Sequence, residues 1–87
     1  MLRVRGDSMV NAGILDSDHV VVRVQQTASC GDLVVAGFDD GEGTVKIFDR
    51  DGDDVVLRPA NDAHSPIRRP AAEVSIYGVV VTVLRRV

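Results

Sequence analysis

The sequence predicts a mainly β domain, and three observations predict it. Apolar residues make up 45% of the chain but aromatics only 3%, so the core must be built from Val, Leu, Ile and Ala, and valine favours strands. Short apolar runs alternate with Gly, Asp and Pro turn signals along the whole length. No segment keeps a convincing helical period. With 87 residues the chain suits a single domain with one modest core. The count of short runs points to a compact twisted assembly of about seven strands.

Each element follows from the local pattern. Leu2–Arg5 reads as a short strand, broken by "GDSM" at Gly6–Met9. Val10–Leu15 forms a helical turn or an irregular segment, and Asp16–Asp18 turns into the strand His19–Val24. Gln25–Asp32 is a loop. Leu33–Phe38 and Thr44–Asp49 are strands on either side of "DDGEG", a hairpin connection. "RDGDD" at Arg50–Asp54 makes the next turn, since Asp-Gly is a strong hairpin signal, and the strand Val55–Pro59 follows. Ala60–Glu73 contains Pro66 and Pro70, borders Pro59, and reads as a long loop. Val74–Val87 is one long strand or two, with Gly78 as a bend or bulge.

Several function classes are excluded or weakened. A net charge of −3 argues against a strong nonspecific nucleic-acid binder, which needs a basic field. The pairs Arg3 with Arg5, Arg68 with Arg69 and Arg85 with Arg86 read as solvated surface. The single cysteine, Cys30, has no partner for an internal disulfide, which fits a reducing cytoplasm. No apolar run nears the roughly 18 residues of a membrane span, and no signal peptide is visible. "DRDGDD" fails as a calcium loop: its sixth position is Asp54, not Gly, and its twelfth is Ala60, not an acid. "GEGTVK" lacks phosphate-loop spacing and precedes a strand. His19 and His64 have no ligand-spaced partners, so no metal and no cofactor is expected.

Lys46 is the residue least at home in its segment. On the strand Thr44–Asp49, Val45 and Ile47 share one face, and Thr44, Lys46 and Phe48 share the other. A lysine there can simply face solvent. It can also serve as a base, because a serine must lose its proton to attack a carbonyl and a neutral lysine can take it. A free lysine has a pKa near 10.4, so neutrality at pH 7 costs about 4.6 kcal/mol. Burial lowers that cost by disfavouring the ammonium, so a catalytic Lys46 must be desolvated. Thr44, on the same face, could hydrogen-bond to it. Ser8 is either a turn residue or the nucleophile, and no histidine stands near it in sequence.

The order of short motifs along the chain adds a resemblance to these readings. "GDSM" at Gly6–Met9, "ILDSDHVVVR" at Ile14–Arg23, "GDLVVA" at Gly31–Ala36 and "GEGTVK" at Gly41–Lys46 are followed by "LRPANDAHSPI" and the closing "YGVVVTVLRRV". This series resembles the C-terminal domain of LexA-type repressors and the related UmuD-like and phage-repressor autoproteases, almost end to end. Serine in Gly-x-Ser-Met with lysine in Thr-Val-Lys, 38 positions later, is specific as a pair.

The resemblance implies a mainly β, LexA/signal-peptidase-like fold and a Ser–Lys peptidase. Ser8 maps to the nucleophile and Lys46 to the general base. Backbone N–H groups at the Ser8 turn, with Met9 and Asp7 as further candidates, would stabilise the oxyanion. Met9 itself reads as a packing residue. The family's substrate is its own upstream linker, usually cut at an Ala-Gly bond, with RecA filaments on single-stranded DNA as co-protease in the DNA-damage response. The domain also dimerises through its terminal strand, here Tyr77, Val79, Val81, Val83 and Arg85.

Residues 1–87 are then a single autoprotease and dimerisation domain, in which the helix-turn-helix domain that reads operator DNA and the scissile linker are both expected to be missing. Ala12–Gly13 and Ala36–Gly37 follow the serine and are rejected as cut sites. The expected setting is the cytoplasm, with no membrane contact. Competing readings are a noncatalytic β dimerisation module, a UmuD-like polymerase-accessory protein and a signal-peptidase-like enzyme, the last disfavoured by the missing anchor and the tail resemblance.

Overall fold

The computed structural model describes residues 1–38 and 43–85. Seven strands are seen: β1 (Leu2–Arg3), β2 (His19–Val24), β3 (Leu33–Gly37), β4 (Gly43–Asp51), β5 (Asp54–Arg58), β6 (Ile67–Pro70) and β7 (Ser75–Leu84). They form one curled antiparallel sheet in the order β1-β2-β7-β3-β4-β5-β6. Two single-turn 3₁₀ segments, Val10–Ala12 and Ala71–Glu73, complete the regular structure among the described residues.

The core lies on both faces of β3, because its side chains alternate. Val35 joins Val4, Met9, Ile14, Val20 and Val45 in one cluster. Val34 and Ala36 join Phe48, Val55 and Leu57 in the other. A strand covered on both faces needs a continuous apolar run, which "LVVAG" supplies.

β7 lies between β2 and β3, although it comes last of the seven in the chain. Two register shifts break its alternation. Between Val21 and Val22 of β2, its partners jump from Thr82 to Val80, so Val81 is extra. Between Val35 and Ala36 of β3, they jump from Gly78 to Ile76, so Tyr77 is extra. The predicted irregularity at Gly78 therefore sits beside the Tyr77 bulge, in one unbroken strand. Gly78 also lets β2 come close: a Cβ there would lie 2.3 Å from Val22 Cγ1 and 2.4 Å from the Arg23 carbonyl oxygen.

Three expectations need correction. β6 lies inside the stretch read as a long loop, pairing Ile67 with Leu57 and Pro70 with Asp54. It is an edge strand, where a proline's missing N–H costs no ladder bond if it faces outward. β1 ends at Arg3, because the backbone of Val4 is diverted to the 16–18 turn: its N–H bonds the Asp18 carbonyl at 2.7 Å and its carbonyl accepts from Ser17 at 2.8 Å. β5 stops at Arg58, before Pro59. The hairpin connection expected at "DDGEG" falls largely on residues 39–42, outside the described residues, as does the end of the closing run at 86–87.

Candidate active site

Ser8 sits in the turn between β1 and the first 3₁₀ segment. Gly6 enters that turn at φ 86°, a left-handed conformation that suits glycine, and its N–H bonds Asp16 Oδ1 at 2.8 Å. Met9 is driven fully into the first core cluster, which fixes the turn from below. Ser8 stays only half-buried.

Lys46 arrives from β4. Its neighbours Val45 and Ile47 take the opposite face and pack with the first cluster. β3 pairs with Gly43–Ile47 and β5 with Ile47–Asp51, so among the described residues Gly43–Lys46 have a strand on one side only. That open edge faces the Ser8 turn. Lys46 Nζ lies 2.9 Å from Ser8 Oγ, 2.7 Å from Thr44 Oγ1 and 3.2 Å from the Val45 carbonyl oxygen. The lysine is 8% exposed, and none of the ion pairs among the described residues includes it. Burial without a countercharge pushes its pKa below the usual lysine value.

The ammonium can meet these contacts by donating its three N–H groups to Ser8 Oγ, Thr44 Oγ1 and the Val45 carbonyl, and the neutral amine can meet them as well. A neutral Nζ has two N–H groups and one lone pair. In that neutral form Thr44 Oγ1 and the Val45 carbonyl can accept the two N–H groups, and the lone pair can then accept the Ser8 hydroxyl proton. Serine–lysine contact at this distance meets the geometric test for a nucleophile and its base.

A third segment locks the serine turn. The β5–β6 connection sends the Ala60 N–H to the Ser8 carbonyl at 2.7 Å and accepts the Asn11 N–H on the Ala60 carbonyl at 2.7 Å. Asn61 Nδ2 donates to the Asp7 carbonyl at 2.8 Å, and His64 Nε2 lies 2.7 Å from Asp7 Oδ1. The sequence pattern assigns no site role to Asn61 or His64. Their positions inside "LRPANDAHSPI" were the available signal, but no spacing rule connects that loop to Ser8. Among the described residues the N–H groups of Ser8 and Met9 have no hydrogen-bond acceptor.

A cleft of about 360 Å³ opens beside Ser8, between Leu2–Arg5 and Gly43–Val45. Its size falls in the range of ordinary ligand sites. Both walls carry strand edges without a neighbour on this side among the described residues, which suits an extended peptide that adds to a sheet edge.

The remaining candidate residues are dispersed. Tyr77, Val81 and Val83 are 41%, 48% and 37% exposed. Val79 instead packs against the second core cluster, since the bulges at Tyr77 and Val81 break the simple alternation. Arg85 is turned back onto its own domain: it makes a fork to Asp18, with Nε 3.0 Å from Oδ1 and Nη2 2.9 Å from Oδ2, and also bonds the Gly13 carbonyl at 2.9 Å. Ala36–Gly37 is buried within β3, and Ala12–Gly13 closes the first 3₁₀ turn. Among the described residues no group of His, Cys, Asp and Glu is placed to hold a metal ion, and no helix is long and apolar enough to cross a membrane.

Comparison with known proteins adds a family to this geometry. The Peptidase S24-like family matches residues 1–81. The LexA repressor of Zymomonas mobilis is 47% identical over 85 residues, 98% of this chain and 39% of that protein. The LexA repressor of Bifidobacterium adolescentis is 54% identical over 87 residues, the whole of this chain and 33% of that protein. That of Mycobacterium leprae is 51% identical over 87 residues, again the whole chain and 36% of the relative. The chain thus spans between a third and two fifths of the length of these curated relatives.

Proposed function

The chain belongs to the Peptidase S24-like family, and from that premise we propose that it is the self-cleaving core of a LexA-like repressor. The observation that carries the reading is the 2.9 Å approach to Ser8 Oγ of a buried Lys46 Nζ that has no ion-pair partner among the described residues.

The mechanism follows from these atoms. Neutral Lys46 takes the Ser8 hydroxyl proton as Oγ attacks the carbonyl carbon of a peptide bond lying in the cleft. Negative charge moves to the carbonyl oxygen, where the free N–H groups of Ser8 and Met9 receive it. As the tetrahedral species collapses, the C–N bond breaks and the Lys46 ammonium returns its proton to the leaving amine. Water then attacks the acyl-Ser8 ester, with Lys46 again as base, and releases the acid. Asp7 contributes its carbonyl and carboxylate to holding the turn. The substrate is the protein's own linker upstream of Met1, in an extended conformation between the two walls of the cleft. RecA filaments on single-stranded DNA stimulate the cut, which ends repression in the DNA-damage response. Operator contact belongs to a separate DNA-binding domain. The domain pairs with a second copy through the exposed part of β7, with Tyr77, Val81 and Val83 at the contact.

The test is direct. The chain is joined at Met1 to an upstream linker that contains an Ala-Gly bond, and incubated from neutral to alkaline pH with and without RecA filaments. Self-cleavage should rise with pH as Lys46 loses its proton, and RecA should raise the rate near neutrality. Ser8→Ala and Lys46→Ala should each abolish it. An undiminished cut in either variant refutes the dyad.

A further inference from the structure

We propose that Asn61 is a positioning residue that aims the Ser8 N–H at the developing oxyanion, by holding the Asp7–Ser8 peptide plane through the Asp7 carbonyl. The inference rests on the reading of Ser8 as nucleophile.

In a trans peptide the C=O and the following N–H point in opposite directions, and no peptide among the described residues is cis. Whatever grips the carbonyl therefore also sets the direction of the N–H. Two consecutive planes at the nucleophile are gripped this way. Asn61 Nδ2 holds the Asp7 carbonyl at 2.8 Å, closer than the Val10 N–H at 3.4 Å, and so sets the Ser8 N–H. The Ala60 N–H holds the Ser8 carbonyl at 2.7 Å, which sets the Met9 N–H. Both N–H groups then point away from the Ala60–His64 segment and are left without an acceptor among the described residues. Free donors on fixed planes are what a developing oxyanion requires, because no reorganisation is needed at the moment of reaction.

The side-chain orientation of Asn61 is determined by its partners. Its Oδ1 accepts the Ala63 N–H at 2.9 Å while its Nδ2 donates to the Asp7 carbonyl. Exchanging the two ends would set donor against donor and acceptor against acceptor. The Asn61 amide therefore does two separable jobs: the oxygen shapes its own loop, and the nitrogen steers the serine turn. A carboxylate can do the first and not the second.

The experiment measures covalent labelling of Ser8 in the full chain by a fluorophosphonate, a reagent whose phosphoryl oxygen occupies the oxyanion position as Oγ attacks phosphorus and fluoride leaves. Asn61→Asp keeps the Ala63 contact and loses the donor, and Asn61→Ala loses both. The maximal labelling rate should fall about 10- to 100-fold in each, while the concentration for half-saturation stays near that of the parent. Asn61→Ala should keep the parental midpoint in the pH–rate profile, since Lys46 is untouched. Asp62→Ala, one residue further along the loop, should label like the parent. Native-like amide hydrogen exchange in the β4 and β7 strands checks folding, and Asn61→Asp carries the test if Asn61→Ala does not fold. Parental labelling in Asn61→Asp, or a loss that shifts the pH midpoint of Asn61→Ala, overturns the positioning role. A parent chain that labels no faster than Ser8→Ala refutes the nucleophile reading itself, and the positioning role falls with it.

Discussion

Replacing Thr44 by Val removes one hydroxyl and keeps the shape of the side chain. Among the described residues Thr44 Oγ1 is the shortest hydrogen-bond contact of Lys46 Nζ, at 2.7 Å. A hydrogen bond to a charged donor contributes about 1.5–3 kcal/mol, and one to a neutral donor about 0.5–1.5 kcal/mol. Thr44 therefore favours the ammonium over the amine by roughly 1 kcal/mol, and so offsets part of the burial that lowers the lysine's pKa. Without it, the neutral fraction on the acidic side of the midpoint rises severalfold, approaching the tenfold that 1.36 kcal/mol represents. The pH–rate profile should move to lower pH. At the alkaline plateau, where Lys46 is already neutral, the rate should fall, because the Val45 carbonyl alone then orients the amine. Fluorophosphonate labelling of Ser8, followed by mass spectrometry across pH, separates the two effects. A midpoint that stays put or moves to higher pH refutes the argument that Thr44 solvates the charge.

Other outcomes follow from separate features. Gly78→Ala should destabilise the fold by about 3 kcal/mol, the upper end for overpacking, because the Arg23 backbone cannot step aside; that is a large share of the roughly 4–13 kcal/mol expected for a domain of this size, and the urea midpoint will report it. Arg85→Met should move acid unfolding to higher pH. The Arg85 hydrogen bonds hold the Asp18 carboxyl below its usual range, so their stabilisation is complete above that range and lost as pH falls through the lowered value; circular dichroism against pH reads the shift. Val83→Asp should convert a dimer to a monomer, measured by sedimentation, and leave Ser8 labelling unchanged.

The legible parts of the fold were those set by local pattern. The alternation in "TVKIF" put Thr44 beside Lys46 and away from Val45 and Ile47, as the contacts bear out. Asp-Gly at 51–52 marked the β4–β5 turn, where Gly52 has φ 59°. β6 was missed because prolines normally exclude a strand, and only its place at the sheet edge makes "IRRP" acceptable there. Gly78 signalled the irregularity beside Tyr77, but the second bulge, at Val81, arises from pairing with β2 and carries no such signal in the strand's own pattern. Ser8 and Lys46 could be named as a pair from their motifs, but their 2.9 Å separation depends on a sheet edge and a distant loop. The grip of Asn61 on Asp7 spans 54 positions, and the motif around Asn61 marks its loop without pointing to its partner.

The central place of β7 bears on when the proposed Ser8–Lys46 pair can form. Among the described residues, β7 is the strand whose ladders join β1 and β2 to β3–β6. The ribosome makes Ser8 early, Lys46 near the middle, and Ser75–Leu84 after both. A nascent chain therefore carries its serine and its lysine long before any ladder joins them. Under the proposed function, the Ser8–Lys46 pair is expected to reach its full geometry only once β7 has been made and has paired with β2 and β3.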